Sequence, residues 1–306
     1  MKLVDAFDAF LVDLDGVVWR GDEPIPGATE TIAALRERDK RVVFVTNNAS
    51  RSPRDYAAKL MKMRLPTEPA DVIGSGHAVI EHLRTIGLQP GDRVHVCGTL
   101  ALAHFVAAHR FTATDETRDV KALVVAWNPK MVMDDIRRAA DVARAGVPFI
   151  GANRDATYPT EDGLLPGSGA IIAAIEVASG RRATIVGKPE PKLFRVALER
   201  AGAEPNRTLV VGDRADSDAA GAKAAGLACA LVLTGVTTEQ DLPSLVIRPD
   251  YILASIADLL TSAEAPAGDE GGVVPASAEE KDEGHPGDEP ADVREEGGSV
   301  SLFDLP

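Results

Sequence analysis

The 306-residue sequence has few aromatic side chains, only two cysteines and no long apolar run. Cys97 and Cys229 each stand inside an apolar segment, so we expect buried thiols and exclude a disulfide scaffold. No stretch approaches the ~20 consecutive apolar residues of a membrane helix, and the first residues lack the basic and apolar regions of a signal peptide. These absences predict a protein with no membrane partner and a cytoplasmic location.

A surplus of basic residues is missing as well. The net charge is −14, and residues 261–306 account for −11 of it with 13 acidic and 2 basic side chains. The remaining 260 residues carry 34 acidic and 31 basic side chains, so the body of the chain is close to neutral. It offers no basic stripe to a phosphate backbone, and the isolated Trp19 and Trp127 form no stacking platform. We therefore expect no nucleic-acid partner.

The segment 262–306 consists mainly of Gly, Pro, Ala, Asp, Glu and Ser. It holds too little apolar surface to offset the entropy cost of ordering, so we expect a disordered acidic tail. Its last residues, 300–306, form a small apolar cluster, which is either a chance feature or a docking peptide for an unknown protein.

Strand and helix patterns alternate through the part of the chain before this tail. Runs such as AFLVDLDG and RVVFVTNN alternate with helical segments at 28–39 and 53–63, and the rhythm returns with RATIVGKP, TLVVGD and CALVLTG. The alternation predicts an α/β fold with a Rossmann-like parallel sheet and crossover helices. We expect a discontinuous core formed by 1–73 and 183–261, with an α/β domain inserted at 74–182.

Chemically active side chains follow four of the predicted strands. They are Asp13 and Asp15, then Thr46, Asn47 and Asn48, then Lys188, and finally Asp213, Asp216 and Asp218. Because parallel strands present their carboxyl ends at one edge of a sheet, we expect these residues to share a crevice. Buried carboxylates repel unless a cation neutralises them, so we expect Mg²⁺ between Asp13 and Asp213. Asp216 and Asp218 are alternatives for a supporting acid, since both also suit a helix N-terminus.

This set of residues fits the cleavage of a phosphate monoester. With Mg²⁺ and Lys188 offsetting negative charge, Asp13 can attack phosphorus and form an aspartyl-phosphate. Asp15 can protonate the leaving alkoxide and then activate water. Thr46 and nearby N–H groups can hold the phosphate oxygens. The expected ligand is a small phosphorylated metabolite.

The motifs DLDGV, VTNN, GKP and GDRADSD occur in this order, and the sequence resembles the haloacid dehalogenase-like phosphatase superfamily over residues 8 to about 260. The long segment between the second and third motifs is similar to the large α/β cap of subgroup IIA, which contains the nitrophenylphosphatase-like enzymes. The resemblance implies that Asp13 is the nucleophile, that Asp15 also binds Mg²⁺ through its backbone carbonyl, and that Asp213 is a metal ligand. It implies phosphate or substrate contacts from Thr46, Asn47, Asn48 and Lys188. It also implies that Asp218 supports these residues without contacting the substrate itself.

The cap segment around Asp155 and Tyr158 is similar to the specificity loop of this subgroup, which makes both residues candidates for substrate contacts. The motifs NNASRSP, YPTEDGLLPGSG and GDRADSDAAGAKAAG together look most like those of bacterial glycerol-3-phosphate phosphatases. Glycerol 3-phosphate is therefore the first expected substrate. Phosphoglycolate, pyridoxal phosphate and nucleoside monophosphates are alternatives within the class. A non-catalytic phospholigand sensor and a carbon–halogen hydrolase are alternatives from other classes. The resemblance also implies a homodimer formed through the cap.

Overall fold

The structure, a computed structural model, describes residues 2–160 and 163–261. The acidic segment 262–306, with its candidate docking peptide at 300–306, lies outside the described residues. Within the described ranges, no helix combines the length and apolar character needed to cross a membrane.

Helices and strands alternate along the described chain. The strands are β1 (Ala9–Val12), β2 (Trp19–Arg20), β3 (Glu23–Pro24), β4 (Arg41–Thr46), β5 (Val72–Gly74), β6 (Arg93–Cys97), β7 (Thr112–Thr114), β8 (Ala122–Val125), β9 (Phe149–Gly151), β10 (Thr157–Thr160), β11 (Gly163–Pro166), β12 (Thr184–Ile185), β13 (Thr208–Gly212), β14 (Ala228–Val232) and β15 (Tyr251–Leu253). The α-helices are α1 (Leu3–Ala6), α2 (Ala28–Glu37), α3 (Pro53–Lys62), α4 (Ser75–Thr85), α5 (Leu100–Ala108), α6 (Met133–Arg144), α7 (Ser168–Ser179), α8 (Lys192–Ala201) and α9 (Ala220–Ala225). A π-helical turn, Ala215–Ala219, precedes α9.

Six strands form a parallel sheet in the order β15-β14-β13-β1-β4-β5. The central strand β1 pairs with β13 on one side and β4 on the other, so Ala9 stands between Thr208 and Arg41. All four residues of β1 are buried, as expected for a parallel strand covered on both faces. This arrangement confirms the predicted Rossmann-like sheet.

The core lies on both faces of this sheet. Side chains alternate along β1, with Leu11 in one apolar cluster and Phe10 in the other. Neighbouring β13 repeats the alternation, with Val210 on the face of Leu11 and Leu209 on the face of Phe10. The carboxyl ends of the strands are thereby fixed between two layers of packed side chains.

A second parallel sheet has the strand order β12-β9-β8-β6-β7 and is formed by residues between the two halves of the first sheet. Here the structure differs from one expectation. The strand of RATIVGKP is β12, and it pairs with Ile150 and Gly151 of β9 instead of joining the first sheet. A Cβ added at Gly151 would lie 2.7 Å from Ile185 Cδ1, so the missing side chain lets Ile185 pack here.

The start of α3 and the two cysteines each have a simple local explanation. Ser52 Oγ accepts a hydrogen bond from Asp55 N at 3.2 Å, and Asp55 Oδ2 accepts from Ser52 N at 2.9 Å, so a capping box begins α3. Cys97 and Cys229 are free and buried, as the apolar runs around them predict.

Candidate active site

The carboxyl edge of the six-stranded sheet carries several of the predicted site residues. Asp13 follows β1, Thr46 is the last residue of β4, and Asp213 follows β13. The N–H of Asp13 donates to Val211 O at 2.8 Å, so this residue continues the pairing of β1 with β13. Because the three strands are neighbours in the sheet, their polar ends meet at one place.

A cavity of about 470 Å³ lies at this edge. It is lined by all the predicted catalytic, metal-binding and substrate-binding residues, namely Asp13, Asp15, Thr46, Asn47, Asn48, Asp155, Tyr158, Lys188, Asp213 and Asp218. Trp19, Arg20, Arg214, Gly235 and Val236 also line it. The structure therefore brings the sequence-predicted residues together and adds others.

Lys188 is a buried cation within this cavity. Its side chain is 3% exposed, and Nζ donates to Asp13 Oδ1 at 2.6 Å, to Asp218 Oδ1 at 2.7 Å and to Val45 O at 3.3 Å. Burial lowers the pKa of Lys188, but the carboxylates of Asp13 and Asp218 outweigh this effect and raise it above its ordinary value. Lys188 therefore stays protonated and offsets the charge of two buried acids.

Three buried acids form a cluster around this lysine. Asp13, Asp213 and Asp218 each offer a carboxylate oxygen, and these oxygens lie within 4.8 Å of one another. Burial raises the pKa of Asp13 well above its ordinary value, despite the opposing effect of Lys188. Burial and the charge of Asp218 raise the pKa of Asp213 to about 7. One lysine cannot neutralise three carboxylates, so this donor set fits a hard divalent cation such as Mg²⁺.

Two glycines leave the space that the Asp213 carboxylate occupies. A Cβ added at Gly235 would lie 1.9 Å from Asp213 Oδ2, and one added at Gly16 would lie 2.4 Å from the same atom. The N–H of Val236 donates to that oxygen at 2.7 Å. Our sequence reasoning missed Gly235 and Val236. The signal was present, since CALVLTG ends another strand of the same parallel sheet.

Asp15 occupies a different environment. It is half-buried, and its Oδ1 accepts a hydrogen bond from Trp19 Nε1 at 3.0 Å. Burial raises the pKa of Asp15, and the Trp19 hydrogen bond lowers it to a smaller extent. The carboxyl group is therefore easier to protonate than an ordinary aspartate, which suits an acid that donates a proton. Sequence reasoning gave Trp19 no role.

Asn47 uses its side chain within the protein. Its Nδ2 donates to both carboxylate oxygens of Asp155, at 3.1 and 3.2 Å, and to Lys188 O at 3.0 Å. Its Oδ1 accepts from the N–H of Lys188 at 2.8 Å, and its backbone O accepts from Ser75 Oγ and Asn153 Nδ2. Asn47 thus joins the end of β4 to the loop that carries Lys188 and to the segment that carries Asp155.

Thr46 and Asn48, on either side of Asn47, form hydrogen bonds within the loop after β4. Thr46 Oγ1 accepts a hydrogen bond from the N–H of Asn48 at 3.1 Å. Asn48 Oδ1 accepts from the N–H of Ser50 at 2.8 Å. The phenol oxygen of Tyr56 donates to Asn48 O at 3.2 Å.

The inserted segment closes one side of the cavity. The ring of Tyr158 packs on Trp127 with a centroid separation of 4.3 Å, and Trp127 Nε1 donates to Pro166 O at 2.9 Å. Burial raises the pKa of Tyr158 to about 12, so its hydroxyl stays protonated near neutral pH. Burial also raises the pKa of Asp155.

Asp216 and Asp218, the two alternative supporting acids of the GDRADSD motif, lie in different environments. Asp218 is 1% exposed and bonds to Lys188, whereas the Asp216 side chain is 72% exposed and pairs with Arg214 at 3.1 Å. The structure therefore places Asp218, and not Asp216, in the acid cluster.

Comparison with known proteins agrees with this geometry. The fold and the site define an α/β protein with a buried centre of carboxylates and one lysine. The sequence profile of the haloacid dehalogenase-like hydrolases matches residues 10–112, and a HAD-hydrolase-like profile matches residues 185–259. The chain belongs to the haloacid dehalogenase-like hydrolase family, which confirms the resemblance found in the sequence.

Several relatives cover most of the chain. A D-glycerol 3-phosphate phosphatase from Mycobacterium tuberculosis is 41% identical over 254 residues, which is 82% of this chain and 70% of that protein. A crystal structure of a glycerol phosphate phosphatase from M. tuberculosis in complex with magnesium matches with a TM-score of 0.79 and 39% identity, covering 85% of this chain and 78% of that one. A 4-nitrophenylphosphatase from Thermotoga maritima matches with a TM-score of 0.79 and 30% identity, covering 86% and 99%.

Proposed function

We propose that this protein is a Mg²⁺-dependent phosphatase that hydrolyses a small phosphorylated metabolite through an aspartyl-phosphate at Asp13. One observation carries the proposal: Lys188 Nζ lies 2.6 Å from Asp13 Oδ1, and the acid cluster beside it lines a cavity. Glycerol 3-phosphate is the best-supported substrate, because one M. tuberculosis relative is named a D-glycerol 3-phosphate phosphatase and the matching M. tuberculosis crystal structure is that of a glycerol phosphate phosphatase.

The first step is attack by Asp13. Lys188 holds its Oδ1, and within the described residues no group donates a hydrogen bond to Oδ2. Asp13 Oδ2 forms a bond to phosphorus while the ester P–O bond breaks, and the leaving alkoxide takes the proton of the Asp15 carboxyl group. Thr46 Oγ1 donates to a phosphate oxygen during this step, and Lys188 offsets the charge on the phosphate.

The second step reverses the role of Asp15. Its carboxylate takes a proton from water, the water oxygen attacks phosphorus, and the P–O bond to Asp13 breaks. Inorganic phosphate leaves, and both acids return to their starting states. The raised pKa of Asp15 supports this dual role, since the group must both give and take a proton.

The residues around Asp13 would hold Mg²⁺. We propose the carboxylates of Asp13 and Asp213, together with the backbone carbonyl of Asp15, as its protein ligands, with Asp218 beside them. When bound, the ion would supply positive charge to the phosphate oxygens and to the buried acids.

The test compares two aspartate variants. Asp13→Asn should abolish release of inorganic phosphate from glycerol 3-phosphate with Mg²⁺, because an amide cannot act as the nucleophile. Asp216→Asn is the matched control and should retain activity, since Asp216 is exposed and outside the cavity. Near-normal hydrolysis by a folded Asp13→Asn variant would contradict the proposal.

The substrate is tested with a panel. We expect the highest kcat/KM for glycerol 3-phosphate among glycerol 3-phosphate, phosphoglycolate, pyridoxal phosphate and nucleoside monophosphates. Another member of the panel in first place would reassign the substrate within the class. EDTA should abolish turnover and Mg²⁺ should restore it, whereas a carbon–halogen hydrolase would not respond to EDTA. Binding of these compounds without turnover would support a phospholigand sensor instead.

We further propose the domain division 1–73 and 183–261 for the core and 74–182 for the cap. The support is that β6 to β9 form their own sheet, although β12 extends that sheet to Ile185. The cap-mediated homodimer, the tail partner and the cytoplasmic location stay predictions. Light scattering on the purified protein tests the first, and a pull-down with and without residues 299–306 tests the second.

A further inference from the structure

A second cavity, of about 460 Å³, lies at the carboxyl edge of the five-stranded sheet and shares no lining residue with the candidate active site. It opens between the ends of the paired strands β6 and β8, where the chain leaves the two strands in opposite directions. β6 continues through α5 to β7 on one side, whereas β8 continues through α6 to β9 on the other. Crevices at such divergence points are the usual ligand sites of parallel α/β sheets, and this volume suits a small molecule.

A buried histidine lines this cavity. His95 is 3% exposed, and its Nδ1 lies 2.8 Å from Glu116 O. A carbonyl oxygen can only accept, so Nδ1 carries the ring proton and Nε2 is a hydrogen-bond acceptor. Within residues 2–160 and 163–261, no group donates to Nε2. The cavity wall therefore presents a hydrogen-bond acceptor that a bound molecule can satisfy.

The charges around the cavity disfavour an anionic ligand. Arg138 forms ion pairs with three carboxylates, at 3.2 Å from Asp115, 2.9 Å from Asp135 and 3.3 Å from Asp134, and its buried Nε makes no hydrogen bond to any described residue. Apolar contacts are available from Cys97, Leu100, Ala103, Ala107 and Met131. A fitting ligand is neutral, with an apolar face, a hydroxyl or amino group that donates to His95 Nε2, and an acceptor for the Arg138 side chain.

Two short chains of contacts connect the walls of this cavity to the candidate active site. Thr99, at the start of α5, donates through Oγ1 to Ser50 O at 3.2 Å, and the N–H of Ser50 donates to Asn48 Oδ1. On the opposite wall, the loop after β8 carries Trp127, which packs on Tyr158. Asn48 and Tyr158 both line the active-site cavity, so each wall of the second cavity is joined to it.

We propose that the second cavity binds a neutral, nucleoside-sized molecule and that its occupancy changes catalysis at the first. The effector role rests on the proposed function, whereas the binding site does not. Because coupling between sites is reciprocal, a ligand here and a substrate there would change each other's affinity by the same factor.

Binding is tested by nitrogen NMR of histidine-labelled protein, with adenosine as the probe, because adenosine lacks the phosphate that the active site would recognise. We expect a saturable shift of the His95 Nε2 resonance. Inorganic phosphate should leave that resonance unchanged. The absence of a shift with both adenosine and uridine, or a shift with phosphate alone, would overturn the proposal.

Two variants locate the ligand. His95→Asn keeps a donor for Glu116 O and removes the Nε2 acceptor, and Ala103→Phe fills the cavity without removing a hydrogen bond. Each should weaken adenosine binding at least tenfold in calorimetry, whereas the control His82→Asn, outside the cavity, should bind normally. Unchanged affinity in a folded Ala103→Phe variant would place adenosine elsewhere and refute the site.

The effector role is read from turnover. Saturating adenosine should change kcat/KM for glycerol 3-phosphate at least twofold in the wild type and leave the Ala103→Phe variant unaffected. An equal effect in both would show direct binding at the active site, and no effect in the wild type would refute the coupling. If the chain lacks phosphatase activity, the NMR titration still decides whether the site exists.

Discussion

Replacement of Lys188 by Met gives a direct measure of the charge balance at the acid cluster. The Lys188 side chain is 3% exposed and bonds to Asp13 and Asp218, whose side chains are 10% and 1% exposed. Removing one partner of a buried ion pair costs about 3–5 kcal/mol, because the other charge is left without compensation. We expect a loss of that size in the free energy of unfolding, which is a large part of the about 5–15 kcal/mol of a typical domain.

Two conditions should reduce this loss. If Mg²⁺ binds the acid cluster as proposed, a concentration of about 100 times its Kd would add about 2.7 kcal/mol to the stability of the variant. Low pH should also help. The pKa values of Asp13 and Asp213 are raised in the folded protein, so their charged forms destabilise the fold above the pKa of the unfolded chain. As the pH falls through the raised values, the carboxylates take up protons, and the difference between variant and wild type shrinks.

The assay is urea unfolding followed by circular dichroism at pH 8 and pH 5, in EDTA and in Mg²⁺. Lys40→Met is the control, because Lys40 pairs with the half-exposed Asp8 at 3.4 Å, and such a surface pair contributes about 0–1 kcal/mol. A Lys188→Met variant as stable in EDTA at pH 8 as the Lys40→Met control would refute the charge argument.

Three further substitutions test individual contacts. Asp15→Asn should slow phosphate release by about 10²–10⁴-fold, and because burial raises the Asp15 pKa, wild-type activity in a pH–rate profile should decline as the pH rises and this carboxyl loses its proton. Asn47→Ala should lower kcat more than it raises KM in steady-state kinetics, since both hydrogen bonds that fix the Lys188 backbone are lost. Gly235→Ala should weaken Mg²⁺ binding by about 10–100-fold in calorimetry, because the added Cβ displaces the Asp213 carboxylate.

Each of these has a contrary result. Unchanged turnover in Asp15→Asn would remove the proton donor from the mechanism. An Asn47→Ala variant with altered KM and normal kcat would assign Asn47 to substrate binding, as the sequence had indicated. Wild-type Mg²⁺ affinity in Gly235→Ala would show that Asp213 is not a ligand. Gly74→Ala is the matched control for the last case, since Gly74 lies outside the cavity and an added Cβ there would meet its nearest atoms only at 3.8 Å.

The sequence predicted the location of those site residues that directly follow a buried strand. Buried runs such as those of β1 and β13 are continuous in the sequence, and their polar ends are visible beside them. Asp13 and Asp213 could therefore be assigned to one sheet edge from strand alternation alone. The same reasoning failed for β12, because a two-residue strand has too little pattern to show which sheet it joins.

Contacts between distant segments were not visible in the sequence. The role of Asn47 in phosphate binding stays a prediction, but the hydrogen bonds of its amide group to Asp155 and Lys188 could not be foreseen, because no local pattern predicts hydrogen bonds across 108 and 141 residues. Trp19 likewise reads as an apolar core residue until its indole N–H is found on Asp15. Such roles depend on tertiary geometry, which composition and periodicity do not encode.

The position of β1 has a consequence for synthesis of the chain. Its pairing residues on β4 are about 30 positions away, but those on β13 are about 200 positions further along. At roughly 5–20 residues per second, a nascent chain would wait about 10–40 s before β13 exists to cover the second edge of β1. During that interval a wholly apolar strand has an open edge, which is a template for association between chains. Ribosome-bound intermediates should therefore be more prone to aggregate than the finished protein.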